Sequence, residues 1–157
     1  MRNKVSNNYN PTSWLKVETG LVHFNPSQKI FAKPIPCSEV LQLQLPVGIP
    51  DILYGECHIA HIDQLKVIDG KAIVLIVYNK LVYYIPLTKE SDLLIILTGT
   101  WHSVINMSDV PTNYQNWLLR KRISTPKDYY PTLLQHKFDY QTASKGLLTN
   151  SILTNQI

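Results

Sequence analysis

The sequence is short of charged residues, cysteines and long apolar runs, and each shortage excludes a class of protein. Only 17% of the 157 residues are charged, and the two cysteines, Cys37 and Cys57, form no CxxC pair. That excludes the usual zinc-finger spacing and the dense cysteine framework of small secreted domains. No apolar run approaches the roughly 20 residues of a membrane-spanning helix, and the first residues lack an apolar signal region. The sequence therefore predicts a cytoplasmic protein with reduced thiols and no membrane span.

The low fraction of charged residues and the small positive net charge indicate which partners the chain is expected to have. A low charged fraction predicts that some surface is buried in a homodimer, although a surface rich in Asn, Gln, Thr and Ser gives the same composition. The net charge is +4, and the basic cluster is Arg120, Lys121 and Arg122. Such a triplet can hold a phosphate or nucleic acid, but more often it is a solvated strand edge. Nucleic acid is therefore not an expected partner.

What the sequence does have is a regular series of short segments rich in β-branched and aromatic residues. Turn residues interrupt them about every eight to twelve residues, which is typical of sandwiches and barrels. Glu39–Leu45 alternates, which predicts a strand whose three leucines face the core. Asp69 and Gly70 lie between two apolar runs and predict a β-hairpin, with Gly70 at positive φ. We expect an all-β fold.

The last third of the chain is less regular. Gln115–Ile123 fits either a helix or a strand, and the run of strands before it favours a strand. A chain of this length predicts one domain, which we place at residues 1–140 as a single barrel. Residues 141–157 form a polar tail, predicted either to be a short helix packed on a neighbour or to be disordered.

Four residues in the centre of the chain carry side chains suited to metal binding or acid–base chemistry: Glu56, His58, Asp63 and His102. Glu56 and His58 are two residues apart, so on a strand they face the same side. Nitrogen and oxygen donors of this kind suit Zn, Mn, Fe or Ni. Without a metal, the same set suits proton transfer by a histidine that a carboxylate orients. His61 is expected to face away from His58 and to lie outside the site.

The spacing of these residues resembles the two sequence motifs of the cupin superfamily. The positions that agree with the family in both spacing and identity are His58, Gly70, Gly99, His102 and Asn106. The positions that keep the spacing with another residue are Glu56 for the first histidine, Asp63 for the glutamate, Pro50 and Ser91 for glycines, and Leu97 for the proline. The resemblance covers about 57 residues, from Pro50 to Asn106.

The resemblance implies a double-stranded β-helix, the jelly-roll barrel of cupins, with a small-molecule site inside it. Residues 63–70 and 108–111 are most similar to the branch related to dTDP-4-dehydrorhamnose 3,5-epimerase. This implies an isomerase or epimerase acting on a nucleotide sugar, with His58 and His102 as catalytic residues. It also implies that Glu56, His58, Asp63 and His102 are the ligands of a divalent transition metal, if one is bound.

Two other functions fit the same residues. A metal-dependent cupin would act on another small molecule, as a lyase or a dioxygenase. A non-catalytic cupin would serve as a ligand-binding or assembly module, and the departures from the motifs favour this alternative. The stretch from Tyr54 to His58 also lacks the arginine that the epimerases carry there.

Overall fold

The structure is a computed structural model that describes residues 31–32, 37–49, 52–78, 80–91, 93–120, 122 and 129–156. Within these residues it contains eleven strands and one helix. The elements are β1 (Phe31–Ala32), β2 (Glu39–Leu45), β3 (Ile52–His58), β4 (His61–Asp69), β5 (Lys71–Tyr78), β6 (Leu81–Thr88), β7 (Leu93–Ile96), β8 (His102–Asn106), β9 (Thr112–Arg120), β10 (Tyr129–Lys137), α1 (Tyr140–Thr149) and β11 (Leu153–Gln156). The strand predicted around Gln115–Ile123 is confirmed as β9.

The strands form two antiparallel sheets with jelly-roll connections. One sheet has the order β1-β7-β4-β9-β2, and the other has the order β10-β3-β8-β5-β6-β11. Most connections cross between the sheets, so that β9 lies between β2 and β4 while β8 lies between β3 and β5. This nested order is that of a jelly roll, the architecture of cupins. The predicted all-β jelly-roll fold is therefore confirmed.

The predicted hairpin at Asp69 and Gly70 is wrong, although the turn itself is present. Gly70 has a φ of 94°, as the Asp-Gly pair predicts. The strands on either side do not pair with each other: β4 pairs with β7 and β9, and β5 pairs with β6 and β8. An Asp-Gly pair indicates positive φ, but not whether the flanking strands share a sheet. The turn instead carries the chain from one sheet to the other.

The two strands β5 and β6 of the six-stranded sheet are buried on both faces along most of their length. On the inner face, side chains such as Val74 of β5 and Ile85 of β6 pack against the five-stranded sheet, which contributes Leu94 of β7. On the outer face, side chains such as Leu75 of β5 pack against helix α1, which contributes Ala143. This double burial explains why β5 is apolar along most of its length rather than alternating.

The predicted tail forms helix α1 and strand β11. The side chain of Asp139 caps the helix by accepting the backbone N–H of Thr142, and Asn150 ends it with a left-handed φ of 49°. β11 then pairs with β6 at the edge of the six-stranded sheet. The boundary that we predict after residue 140 falls at the beginning of the helix. Among the described residues no helix is long and apolar enough to cross a membrane.

The prediction that the leucines of β2 face the core is wrong for two of the three. Leu41 and Leu43 are 38% and 37% exposed, and Leu45 packs at the margin of the inner cluster. In the described part of the chain β2 is the last strand of its sheet, paired with β9 alone. Alternation predicts a strand correctly, but it does not show how much of either face the rest of the fold covers.

Asn106, a position that matches the cupin motif, ties together the ends of three strands. Its Nδ2 lies 3.2, 3.1 and 2.9 Å from the carbonyl oxygens of Leu45, Pro46 and Val110. Its Oδ1 accepts hydrogen bonds from Ser108 N at 2.8 Å and from the hydroxyl of Thr112 at 2.7 Å. Asn106 itself is 3% exposed, and Thr112 is fully buried. The amide therefore holds the ends of β2, β8 and β9 together.

We expect Asn106→Ala to lower the free energy of unfolding by roughly 2 kcal/mol or more, because all the hydrogen bonds of a buried amide are lost at once and the buried hydroxyl of Thr112 loses an acceptor. Urea unfolding followed by circular dichroism measures this change. The control is Asn113→Ala, which removes an amide whose hydrogen bond to Gln44 is exposed and should cost less than about 0.5 kcal/mol. Equal losses in the two variants would contradict the role of Asn106.

Candidate functional site

The candidate site lies where the chain crosses from the six-stranded to the five-stranded sheet. β3 ends at His58 and β4 begins at His61 after a short turn. β8 pairs with β3 and places His102 opposite Glu56. Gly99, with a φ of 77°, holds the turn before β8 against β3 by donating its N–H to the carbonyl of His58 at 2.7 Å. The pairing of β8 with β3 therefore brings His102 close to His58.

Three imidazoles surround the carboxylate of Asp63. Nε2 of His58 lies 2.8 Å from Asp63 Oδ2, and Nε2 of His102 lies 3.4 Å from the same oxygen. Nε2 of His61 lies 3.4 Å from Oδ1. The donor atoms of His58, His61 and Asp63 all lie within 4.8 Å of one another, which is close enough to hold one metal ion. We name His58, His61, Asp63 and His102 the histidine–aspartate cluster.

The prediction that His61 lies outside the site is wrong. His61 is 5% exposed, and its ring stacks on that of His58, with centroids 3.9 Å apart and an interplanar angle of 22°. The prediction counted alternation from His58, but alternation holds only within one strand. His58 ends one strand and His61 begins the next, and the turn between them brings both rings to the same side.

Glu56 stands apart from the buried cluster. Its side chain is exposed, whereas His58, two residues further along β3, is 4% exposed. The negative charge of Glu56 nevertheless reaches the cluster, because it acts to raise the pKa of both His58 and His102. The structure thus places Glu56 on the solvent side of the site, and its role as a metal ligand stays a prediction.

Asp63 is ionised although it is almost fully buried. Burial acts to raise the pKa of a carboxyl group, but the hydrogen bonds from His58 and His61 and the charges of His102 and His58 outweigh it and hold the pKa of Asp63 far below its usual range. For His58, burial acts to lower the pKa, and the hydrogen bond and charge of Asp63 outweigh it, so that this pKa is raised. The cluster therefore holds one fixed negative charge that favours any cation beside it.

His102 is the imidazole whose tautomer the structure settles. Its Nδ1 lies 2.9 Å from the carbonyl oxygen of Thr100. A carbonyl can only accept, so Nδ1 carries the proton. Burial and the charge of His58 lower the pKa of His102 despite the opposing charge of Asp63, which favours the neutral ring. In that form Nε2 directs a lone pair towards Asp63 Oδ2, itself an acceptor.

Two further residues on β9 face the site. Asn116 donates from Nδ2 to Asp63 Oδ1 at 2.7 Å. Burial raises the pKa of Tyr114 to about 12, and the charges of Asp63 and Glu56 add to that shift, so its phenol stays protonated. The sequence marks Tyr114 only as one of many aromatic residues, and it carries no signal for Asn116, because the motifs do not reveal that β9 lies beside β4.

Trp101 is 1% exposed and lies against Gly55 on β3. A Cβ atom at Gly55 would overlap the indole of Trp101 and would lie 2.5 Å from the carbonyl oxygen of His102. The close approach of β3 and β8 beside the cluster therefore requires a residue without a side chain at position 55.

No family model and no curated protein sequence matches the chain. Among solved structures it is similar to the capsular polysaccharide assembling protein CapF from Staphylococcus aureus, with a TM-score of 0.49 and 18% sequence identity. The match covers 62% of this chain and 29% of that protein, so the chain spans less than a third of its length. A likeness at this level carries no argument about function.

We expect Gly55→Ala to lower the free energy of unfolding by about 1–3 kcal/mol, because the added methyl group must displace Trp101 or the backbone at His102. Thermal and urea unfolding measure the loss, and near-ultraviolet circular dichroism reports the change around the indole. Ile59→Ala alters an exposed side chain just after the same strand and should change stability by less than about 0.5 kcal/mol. A Gly55→Ala variant as stable as the wild type would show that β3 and β8 do not need this close approach.

Proposed function

We propose that this chain is a cupin-like protein that binds a divalent transition metal in the histidine–aspartate cluster and uses that site to bind a small molecule. The donor set supports the proposal, because three imidazole nitrogens and a carboxylate suit Zn, Mn, Fe or Ni. The set differs from the ligands predicted by the motifs in one place. His61 stands in the proposed ligand set in place of Glu56.

The observation that carries this proposal is the orientation of His102. In the neutral ring its Nε2 lone pair and Asp63 Oδ2, two acceptors, face each other at 3.4 Å. Two acceptors at this separation repel each other unless a positive centre lies near both, and a metal ion bound between them would supply it. The bond from Nδ1 of His102 to a backbone carbonyl is also the outer contact that metal-binding histidines usually make.

The residues around the cluster indicate what the site would do with a ligand. A bound divalent metal would polarise a ligand oxygen as a Lewis acid. Glu56 is the exposed carboxylate opposite His102, and it can exchange a proton between the ligand and water. Tyr114 remains protonated at neutral pH, so it can donate a hydrogen bond to a ligand oxygen. These groups suit an isomerase or a lyase acting on an oxygen-bearing small molecule.

A second candidate function is proton transfer without a metal. The 2.8 Å contact from His58 to Asp63 favours it, because it is that of an imidazole oriented by a carboxylate. In this candidate His58 or His102 removes a proton next to the keto group of a nucleotide sugar, as in the epimerases that the sequence resembles. His58 is 4% exposed and His102 is more open to solvent, so a substrate would reach His102 first.

A non-catalytic role remains a third candidate. The limited exposure of His58, His61 and Asp63 favours it, because a substrate has little access to buried side chains. The predicted homodimer and the predicted cytoplasmic location also remain proposals. The exposed apolar residues of β2, Val40, Leu41 and Leu43, support a dimer, because an exposed apolar edge strand is a ready site for pairing with another chain.

We expect metal-depleted protein to bind one equivalent of Zn²⁺ or Co²⁺ in a calorimetric titration, with a rise in the unfolding temperature. His61→Ala should weaken binding by more than the roughly 10–100-fold that loss of an outer hydrogen-bond partner costs, because it removes a ligand. Glu56→Gln should keep binding close to that of the wild type. The reverse pattern, with Glu56→Gln the more damaging, would show that the motif and not the structure identifies the ligands. No stoichiometric binding by the wild type would overturn the proposal.

The proton-transfer candidate has its own test, made in the presence of EDTA. Wild-type protein should exchange solvent deuterium into the carbon next to the keto group of a nucleotide-linked 4-keto sugar, followed by NMR. At least one of His58→Ala and His102→Ala should abolish exchange while its far-ultraviolet circular dichroism stays that of the wild type, whereas Asn113→Ala should retain exchange. Full exchange in both histidine variants, or none in the wild type, would exclude this candidate.

A further inference from the structure

The carboxylate of Asp63 is held by a side-chain amide whose own orientation is fixed. Nδ2 of Asn116 donates to Asp63 Oδ1 at 2.7 Å. Oδ1 of Asn116 accepts the backbone N–H of Gln64 at 3.2 Å. Because a backbone N–H can only donate, the amide atom that faces Gln64 is the oxygen, and the atom that faces Asp63 is the nitrogen. The amide group is therefore not free to turn over.

The hydrogen bonds of Asn116 join β4 and β9 where the backbone pairing of these strands is interrupted. The two strands pair at residues 61–62 with 119–120 and again from Leu65 opposite Asn116. Asp63 and Gln64, between these pairs, have register partners on β7 but none on β9 in the described part of the chain. Gln64, which is fully buried, donates from Nε2 to the carbonyl of Trp117 at 3.1 Å. Side-chain amides thus join the strands beside the carboxylate where backbone pairing is interrupted.

We propose that Asn116 is a positioning residue that fixes the direction of Asp63 Oδ2. The two oxygens of a carboxylate are chemically equivalent, so its rotation must be restrained from outside. With Oδ1 held by Asn116, Oδ2 stays directed at His58 and His102, at 2.8 and 3.4 Å. A hydrogen bond to an ionised carboxylate is among the stronger ones in proteins, which suits this role. One test of this role uses bound metal and therefore rests on the proposed function. A second test is made without metal and does not.

The metal measurement compares Asn116→Leu with Asn113→Leu. Leucine removes the amide at similar volume, and Asn113 lies on the same strand with its amide hydrogen-bonded to Gln44 at the surface. In a Co²⁺ titration, Asn116→Leu should weaken affinity by roughly 10–100-fold and alter the visible absorption bands of the bound ion. Asn113→Leu should leave both unchanged. Asn116→Ser, which shortens the side chain without apolar bulk, serves the same test should the leucine variant not fold.

The metal-free measurement is the ¹H–¹⁵N spectrum of the histidine rings in the presence of EDTA. The Nε2 proton that His58 donates to Asp63 should shift or broaden in Asn116→Leu and keep its position in Asn113→Leu. A wild-type His58 resonance in the Asn116 variant would overturn the positioning role, even if that variant unfolds more easily. If the wild type binds no metal, the proposed function fails, and the His58 resonance still decides the role of Asn116.

Discussion

A buried, ionised carboxylate is the constraint on which the centre of this jelly roll depends. An isolated charge in a protein interior is costly, and Asp63 is 1% exposed. Hydrogen bonds from His58 on β3, His61 on β4 and Asn116 on β9 keep it charged, and His102 on β8 lies 3.4 Å from the same carboxylate. The site therefore exists only when both sheets are assembled, because its residues come from strands of both.

The sequence predicts the part of the site that depends on spacing along the chain. The strand lengths and the glycines at positive φ, Gly70 and Gly99, set the distance between the two motifs, so His58 and His102 are found together as predicted. His61 and Asn116 are missed for two physical reasons. A turn resets the alternation on which side-chain direction depends, and partners on β9 are set by sheet order, which no local pattern shows.

The sequence predicts the all-β type of the fold well. It predicts less well which strands pair with each other and which side chains are buried. Apolar segments with frequent turns predict strands, and nearly all of those in the described residues are present. The Asp69–Gly70 turn is predicted, but it joins strands of different sheets. The exposure of Leu41 and Leu43, and the cover that α1 gives the six-stranded sheet, follow from packing between distant segments. Such packing leaves little trace in the local sequence.

X-ray absorption at the zinc K-edge, on protein loaded with one equivalent of Zn²⁺, identifies the atoms that bind the metal. We predict a coordination shell of nitrogen and oxygen atoms at about 2.0–2.1 Å with the multiple-scattering pattern of several imidazoles. Asp63→Ala should lose that pattern or the bound metal, since its carboxylate lies at the centre of the cluster. A shell of oxygen atoms without imidazole scattering, or a shell that Asp63→Ala leaves unchanged, would contradict a metal centre in the histidine–aspartate cluster.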